Sequence, residues 1–131
     1  MEAMIQSVFL RSVSDSIEEE MEIQVGDLAL TCFAFYCPHK VHEGIHYPVE
    51  LSVYLHDDLA IRPVNDDEPS SAVRVDDGFS YDLTGVVRGA KFEVDGVYFD
   101  IEELLDGPDG LSAYDGSTVC IRVDRIQIAF V

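Results

Sequence analysis

Lys91-Phe92-Glu93-Val94-Asp95-Gly96-Val97-Tyr98-Phe99 is the stretch on which the fold is decided. An Asp-Gly pair between two alternating runs supplies the positive φ angles of a type I′ turn, which joins antiparallel strands without splaying them. A two-residue loop sets Val94 opposite Val97 and Phe92 opposite Phe99, with Glu93 and Tyr98 on the other face. The register that satisfies the backbone is therefore also the one that gathers the apolar side chains. Directly after the hairpin, Asp100 and Glu103 stand at capping-box spacing ahead of Leu104 and Leu105, and Gly107-Pro108 follows. This pattern predicts one or two helical turns.

The same alternation extends on both sides. Residues 79–87 read as a strand in which Gly85 marks a bulge or a bend. Ile45, Tyr47, Val49, Leu51, Val53 and Leu55 share one parity, with His46, Pro48, Glu50, Ser52, Tyr54 and His56 between them, as in a half-buried strand. Pro48 lacks a donor and predicts a sheet edge or a bulge. Residues 28–37 are apolar at both parities and read as a central strand covered on both faces. Met21, Ile23 and Val25 alternate ahead of it, and Gly26-Asp27 forms a turn or bulge. In 118–131 the apolar parity slips at Asp124-Arg125, from Val119, Ile121 and Val123 to Ile126, Ile128 and Phe130, and a bulge would keep both sets inside. The first twenty residues stay open: Ile5, Phe9, Val13, Ile17 and Met21 recur every four, while Ser12, Ser14 and Ser16 weaken a helix. Residues 65–71 and 106–110 are loops.

These elements predict a single domain over 1–131, mainly β: a small antiparallel barrel or sandwich, with an OB-like barrel preferred, and one or two short helices. The chain has 131 residues, enough for one core without staples. At 47% hydrophobic it is too apolar for a disordered chain.

Charge bounds the partners. With 26 Asp and Glu against 8 Lys and Arg, the formal charge is −18, which repels nucleic acid and anionic lipid. The same charge favours solubility and fast encounter with a basic protein surface. Three cysteines, Cys32, Cys37 and Cys120, leave at least one thiol unpaired within the monomer and fit a reducing compartment. Glu2 and the polar residues Gln6, Ser7 and Arg11 interrupt any export signal, so the expected location is the cytoplasm. The apolar run 28–37 is about half the length of a membrane helix.

One segment carries metal-ligand chemistry. Cys37, His39, His42 and His46 offer a thiolate and three imidazoles, the donor types of a tetrahedral zinc site. Pro38 and Gly44 place them on a connector, and their spacing is that of neither a Cys-x-x-Cys pair nor a His-Glu-x-x-His helix. His56-Asp57-Asp58 has the residue types of a metal phosphohydrolase pair but reads as a solvated turn. Ser112 lacks the setting of a nucleophile elbow, no glycine-rich phosphate loop appears, and no catalytic residue is assigned. Cys32 and Cys120 sit in strand patterns as small core residues. Phe33, Phe35, Tyr36, Tyr47 and Tyr54 would stack bases on an OB-like surface, although core packing explains them more simply and such platforms normally lie in a basic groove.

The functional expectation is a non-enzymatic acidic interaction protein that meets a basic protein partner, as an inhibitor or immunity protein does. Two alternatives stand beside it: a metal-binding protein or metal-dependent enzyme using 37–46, and a single-stranded nucleic-acid binder. Homo-oligomerisation through an exposed edge of the C-terminal strand is a further expectation.

Overall fold

The computed structural model describes residues 4–17, 19–56, 59–107 and 110–131. At the Asp95-Gly96 turn both residues take positive φ, 51° and 81°. The strands it joins, β8 (Lys91–Val94) and β9 (Val97–Asp100), pair Val94 with Val97 and Phe92 with Phe99, and all four side chains are buried. Glu93 and Tyr98 lie opposite one another on the other face.

Nine further strands complete the architecture. They are β1 (Gln6–Val13), β2 (Glu20–Val25), β3 (Leu28–Tyr36), β4 (His46–Tyr54), β5 (Ile61–Pro63), β6 (Ser71–Arg74), β7 (Tyr81–Arg88), β10 (Thr118–Val123) and β11 (Arg125–Phe130). All eleven belong to one sheet in the order β1-β2-β3-β11-β4-β9-β8-β7-β10-β5, with β6 against β7. Strand β1 also pairs with β4, so the ladders β1–β2, β2–β3, β3–β11, β11–β4 and β4–β1 return to their starting strand. The protein is mainly β, and helix among the described residues is limited to two single-turn 3-10 segments, Glu102–Leu104 and Leu111–Tyr114.

Several local expectations are altered. The N-terminal segment, open between helix and strand in the sequence, forms strand β1 over Gln6–Val13. Val8 and Leu10 supply its buried parity, and a bulge between Leu10 and Ser12 breaks the alternation that would have disclosed it. The slip at Asp124-Arg125 is a corner between two strands rather than a bulge within one. Strand β10 pairs with β7 and β5, β11 pairs with β3 and β4, and Val119, Ile121, Val123, Ile126, Ile128 and Phe130 are all buried. Strand β11 has a neighbour on each side, β4 along residues 125–130 and β3 along residues 127–129. Pro48 sits where β4 passes from its ladder with β1 to its ladder with β11, and its carbonyl accepts from Val131 N at 3.2 Å. The turn after β9 forms with Ile101 at its N-cap; Asp100 accepts from Glu102 N at 2.9 Å as an Asx turn, and the reciprocal Glu103 bond of a capping box is not made. Pro108 and Asp109 of the following loop lie outside the described residues.

Strand β3 is flanked by β2 and β11, as its composition predicts, yet it is not covered on both faces. Thr31 and Cys32 are buried, whereas Phe35 and Tyr36 are 58% and 56% exposed.

Gly85 is where β7 changes neighbours along one edge, from β6 at residues 81–84 to β8 at 86–88. A Cβ there would meet the Glu93 carbonyl oxygen, so no larger residue fits without displacing β8. Two side chains tie this part of the sheet to β1 and β3. Gln6 donates from Nε2 to Tyr98 O at 2.6 Å and accepts from Tyr98 N at 2.9 Å, completing a rung that no backbone supplies. The buried Thr31 N–H donates to Tyr81 Oη at 2.8 Å. Tyr81→Phe therefore leaves a buried donor without a partner and lowers stability by about 1–3 kcal/mol, to be read as a lower urea midpoint with an unchanged slope.

Candidate functional site

Ile126, Ile128 and Phe130 of β11 turn into the core, so period-two geometry turns Arg125, Gln127 and Ala129 outward. Register sets their neighbours: Phe33 stands beside Gln127 on β3, while Tyr54, Ser52 and Glu50 stand beside Arg125, Gln127 and Ala129 on β4. The outer face of β3-β11-β4 thus carries aromatic rings at its margins and polar side chains along its centre. The Arg125 guanidinium lies 4.0 Å from the Phe33 ring centroid and 4.3 Å from that of Tyr54. Its Nε donates to Gln127 Oε1 at 3.1 Å, and Phe79 meets Phe33 edge-on at 5.7 Å.

Beside this stack opens a cleft of about 260 Å³. Phe35, Ser52, Tyr54 and Gln127 contribute from the sheet face, and the end of β9 with the 3-10 turn forms the facing wall. Four carboxylates line it, Glu50, Asp100, Glu102 and Glu103, against one ammonium, Lys91. None of these five charges is engaged in the ion pairs found among the described residues, which join Arg11 to Glu22, Arg74 to Glu20, Arg88 to Glu93 and Arg122 to Asp82. The cleft is a negatively charged hollow with exposed aromatic surface. A smaller hollow of about 160 Å³ is lined by Ser12, Ser14, Glu20, Glu22, Thr31 and Arg74, where Arg74 and Glu20 already approach to 3.9 Å.

The four candidate zinc ligands occupy the connector from β3 to β4 and the start of β4. Cys37 is exposed and its Sγ lies 3.0 Å from His39 O. The His39 ring packs near Tyr47 and Phe130, with Nδ1 3.3 Å from Lys40 O and Nε2 3.4 Å from Val131 O. His42 donates its backbone N–H to Tyr47 Oη at 2.7 Å, and the His46 ring lies 5.0 Å from that of Phe9. Among the described residues no three His, Cys, Asp or Glu side chains are grouped to hold a metal ion. The backbone N–H of His56 donates to Asp124 Oδ2, and Asp57 and Asp58 lie outside the described residues. The Ser112 hydroxyl donates to Leu105 O at 2.6 Å.

The aromatics divide differently from the core-packing expectation. Phe33 and Tyr47 are half-buried, but Phe35, Tyr36 and Tyr54 are exposed, Tyr54 at 37%. For Tyr54 the signal is present in the sequence, since it shares the polar parity of its strand with Glu50 and Ser52. For Phe35 it is not, because residues 28–36 are apolar at both parities.

A family model described as uncharacterised conserved protein UCP019853 matches residues 4–131. The chain belongs to that family. Its match takes in every residue lining the cleft, from Met4 to Ala129. No curated protein and no solved structure matches the chain. No helix among this family member's described residues is long and apolar enough to cross a membrane.

Two predictions follow from the placement of its titratable groups. Cys32 and Cys120 are buried and Cys37 is exposed, and burial pushes the Cys32 thiol far above its ordinary range. An aromatic disulfide reagent will therefore titrate one thiol rapidly in the native protein and three in denaturant. The Arg122 guanidinium, bonded to Asp82 at 2.8 and 3.0 Å, holds the Asp82 carboxyl below its ordinary value. A depressed carboxylate pKa contributes stability above the unfolded value, about 3.9, and loses it as pH falls through the folded one. Asp82→Asn will accordingly be less stable than the wild type at neutral pH, and the gap between their urea midpoints will close as pH falls from the unfolded carboxylate value through the lower folded one.

Proposed function

We propose that the chain is a non-enzymatic acidic interaction protein that binds a basic protein partner, in the manner of an inhibitor or immunity protein. The observation that carries this reading is the imbalance at the cleft, where four carboxylates and one ammonium surround exposed aromatic surface. Elsewhere the imbalance persists: among the described residues only Glu20, Glu22, Asp82 and Glu93 are ion-paired, in a chain with 26 carboxylates. Opposite charge on a partner raises the encounter rate, and aromatic surface supplies contact area once encounter has occurred.

Within this reading, the five-strand circuit serves as a small barrel of the OB-like kind, whose outer face presents the cleft. OB-like barrels also bind single strands by stacking bases on aromatic side chains, and Phe35, Tyr36 and Tyr54 are exposed enough to do so. The carboxylates around the cleft and the charge of −18 oppose a phosphate backbone, which favours the basic-protein reading. The unpaired thiols of Cys32, Cys37 and Cys120 support a reducing compartment, the cytoplasm.

Capture of basic proteins on the immobilised chain at low ionic strength, followed by association kinetics with the captured protein, tests the reading. Its association rate is expected to fall about tenfold between roughly 0.02 and 0.3 M salt, with a smaller change in dissociation rate. A salt-independent association rate, or the capture of no basic protein, overturns it.

A further inference from the structure

We infer that the cleft over the β3-β11-β4 face receives an arginine side chain of the basic partner, its guanidinium against the Phe35 ring and its charge met by Glu50, Glu102 and Glu103. The inference rests on the basic-partner reading and names the place and the chemistry of contact.

Size limits the occupant first. A hollow of about 260 Å³ lies at or below the lower end of ordinary ligand pockets, which begin at roughly 300 Å³. It has room for one long side chain. Charge limits it next: four carboxylates against Lys91 exclude a phosphate or carboxylate group and favour a cation. A metal ion lacks the donor arrangement, since no three acidic, His or Cys side chains are grouped for one among the described residues.

Aromatic surface then distinguishes the cations. A guanidinium is planar and weakly hydrated and stacks on rings, whereas an ammonium is compact and strongly hydrated. The same face already holds such a stack, with Arg125 between Phe33 and Tyr54 at 4.0 and 4.3 Å. Phe35 lies on the same strand as Phe33, lines the cleft and is 58% exposed, with no cation over its ring among the described residues. It offers an incoming arginine the kind of seat that Phe33 gives Arg125.

Calorimetric titration of the full chain with hexa-arginine and hexa-lysine peptides at low salt tests the inference. Three variants are compared: Phe35→Ala, the double substitution Glu102→Gln with Glu103→Gln, and the double substitution Asp66→Asn with Asp67→Asn. The last pair removes the same formal charge from exposed positions that do not line the cleft. All the substituted side chains are exposed, and thermal unfolding verifies that each variant folds. Hexa-arginine is expected to bind the wild type more tightly than hexa-lysine. Phe35→Ala and the Glu102/Glu103 variant should each weaken hexa-arginine about tenfold, the effect of truncating one anchor side chain. The Asp66/Asp67 variant should weaken it less than about twofold, as expected for a screened, distant charge. If both double variants weaken binding equally and Phe35→Ala changes nothing, the cleft inference fails while the general acidic-surface reading stands. If neither peptide binds the wild type, both fail.

Discussion

Strand β11 joins the two ends of the molecule's architecture through backbone hydrogen bonds on both of its edges. It runs parallel to β3 and antiparallel to β4, so the last strand of the chain closes a circuit that begins with the first. Its side chains divide by parity between two tasks. Ile126, Ile128 and Phe130 complete the core, while Arg125 and Gln127 build the outer face on which the cleft opens. A one-residue slip in this strand would bury the guanidinium and expose the isoleucines. Core and candidate site are thus fixed by a single register.

The chain between β4 and β11 makes a long excursion, β5 to β10, before it returns. Closing so long a segment costs conformational entropy, and specific bonds must hold it against the strands it left. Direct strand pairing between β4 and β9 amounts to one bridge, Ser52 to Asp100. Further attachment comes from side chains acting as backbone substitutes, Gln6 on Tyr98 and Tyr81 on Thr31, from the Asp124 N–H on Tyr54 O at 2.9 Å, and from the shared hydrophobic core. These bonds also bear on the candidate site, because Asp100 and the 3-10 turn after β9 form one wall of the cleft.

The parts of this arrangement legible in the sequence are those in which turn chemistry and side-chain parity agree. Asp95-Gly96 fixed both the turn and the pairing of four buried residues, and the half-buried character of β4 followed from its alternation. Two features were hidden for physical reasons. The bulge in β1 cuts its buried alternation to Val8 and Leu10, too short a run to outweigh the four-residue recurrence of Ile5, Phe9 and Val13. In β3, residues apolar at both parities say that both faces could be covered, while only the tertiary arrangement decides that Phe35 and Tyr36 are not. The site was hidden by the same cause. Arg125, Tyr54 and Phe35 are far apart in sequence, and their meeting depends on which strands become neighbours. Local clusters were easier to see, yet in the segment from Cys37 to His46, dense in ligand types, the rings of His39 and His46 lie against Tyr47, Phe130 and Phe9.

Two unfavourable features coincide at the cleft. An exposed phenylalanine keeps apolar surface in contact with water, and neighbouring like charges repel one another. Neither is needed for solubility in a chain whose charge is already −18. A long side chain with an aliphatic stem and a cationic head offsets both at once, covering the ring with its stem or its planar group and neutralising the carboxylates. Arg125 makes the stacked half of this arrangement within the chain itself, leaning on Phe33 and Tyr54 with only the neutral Gln127 amide as its polar partner among the described residues. What the internal stack lacks is a carboxylate, and the adjoining cleft has four. The two halves of an arginine site therefore stand side by side on one sheet face, one occupied from within and the other open to a side chain from outside.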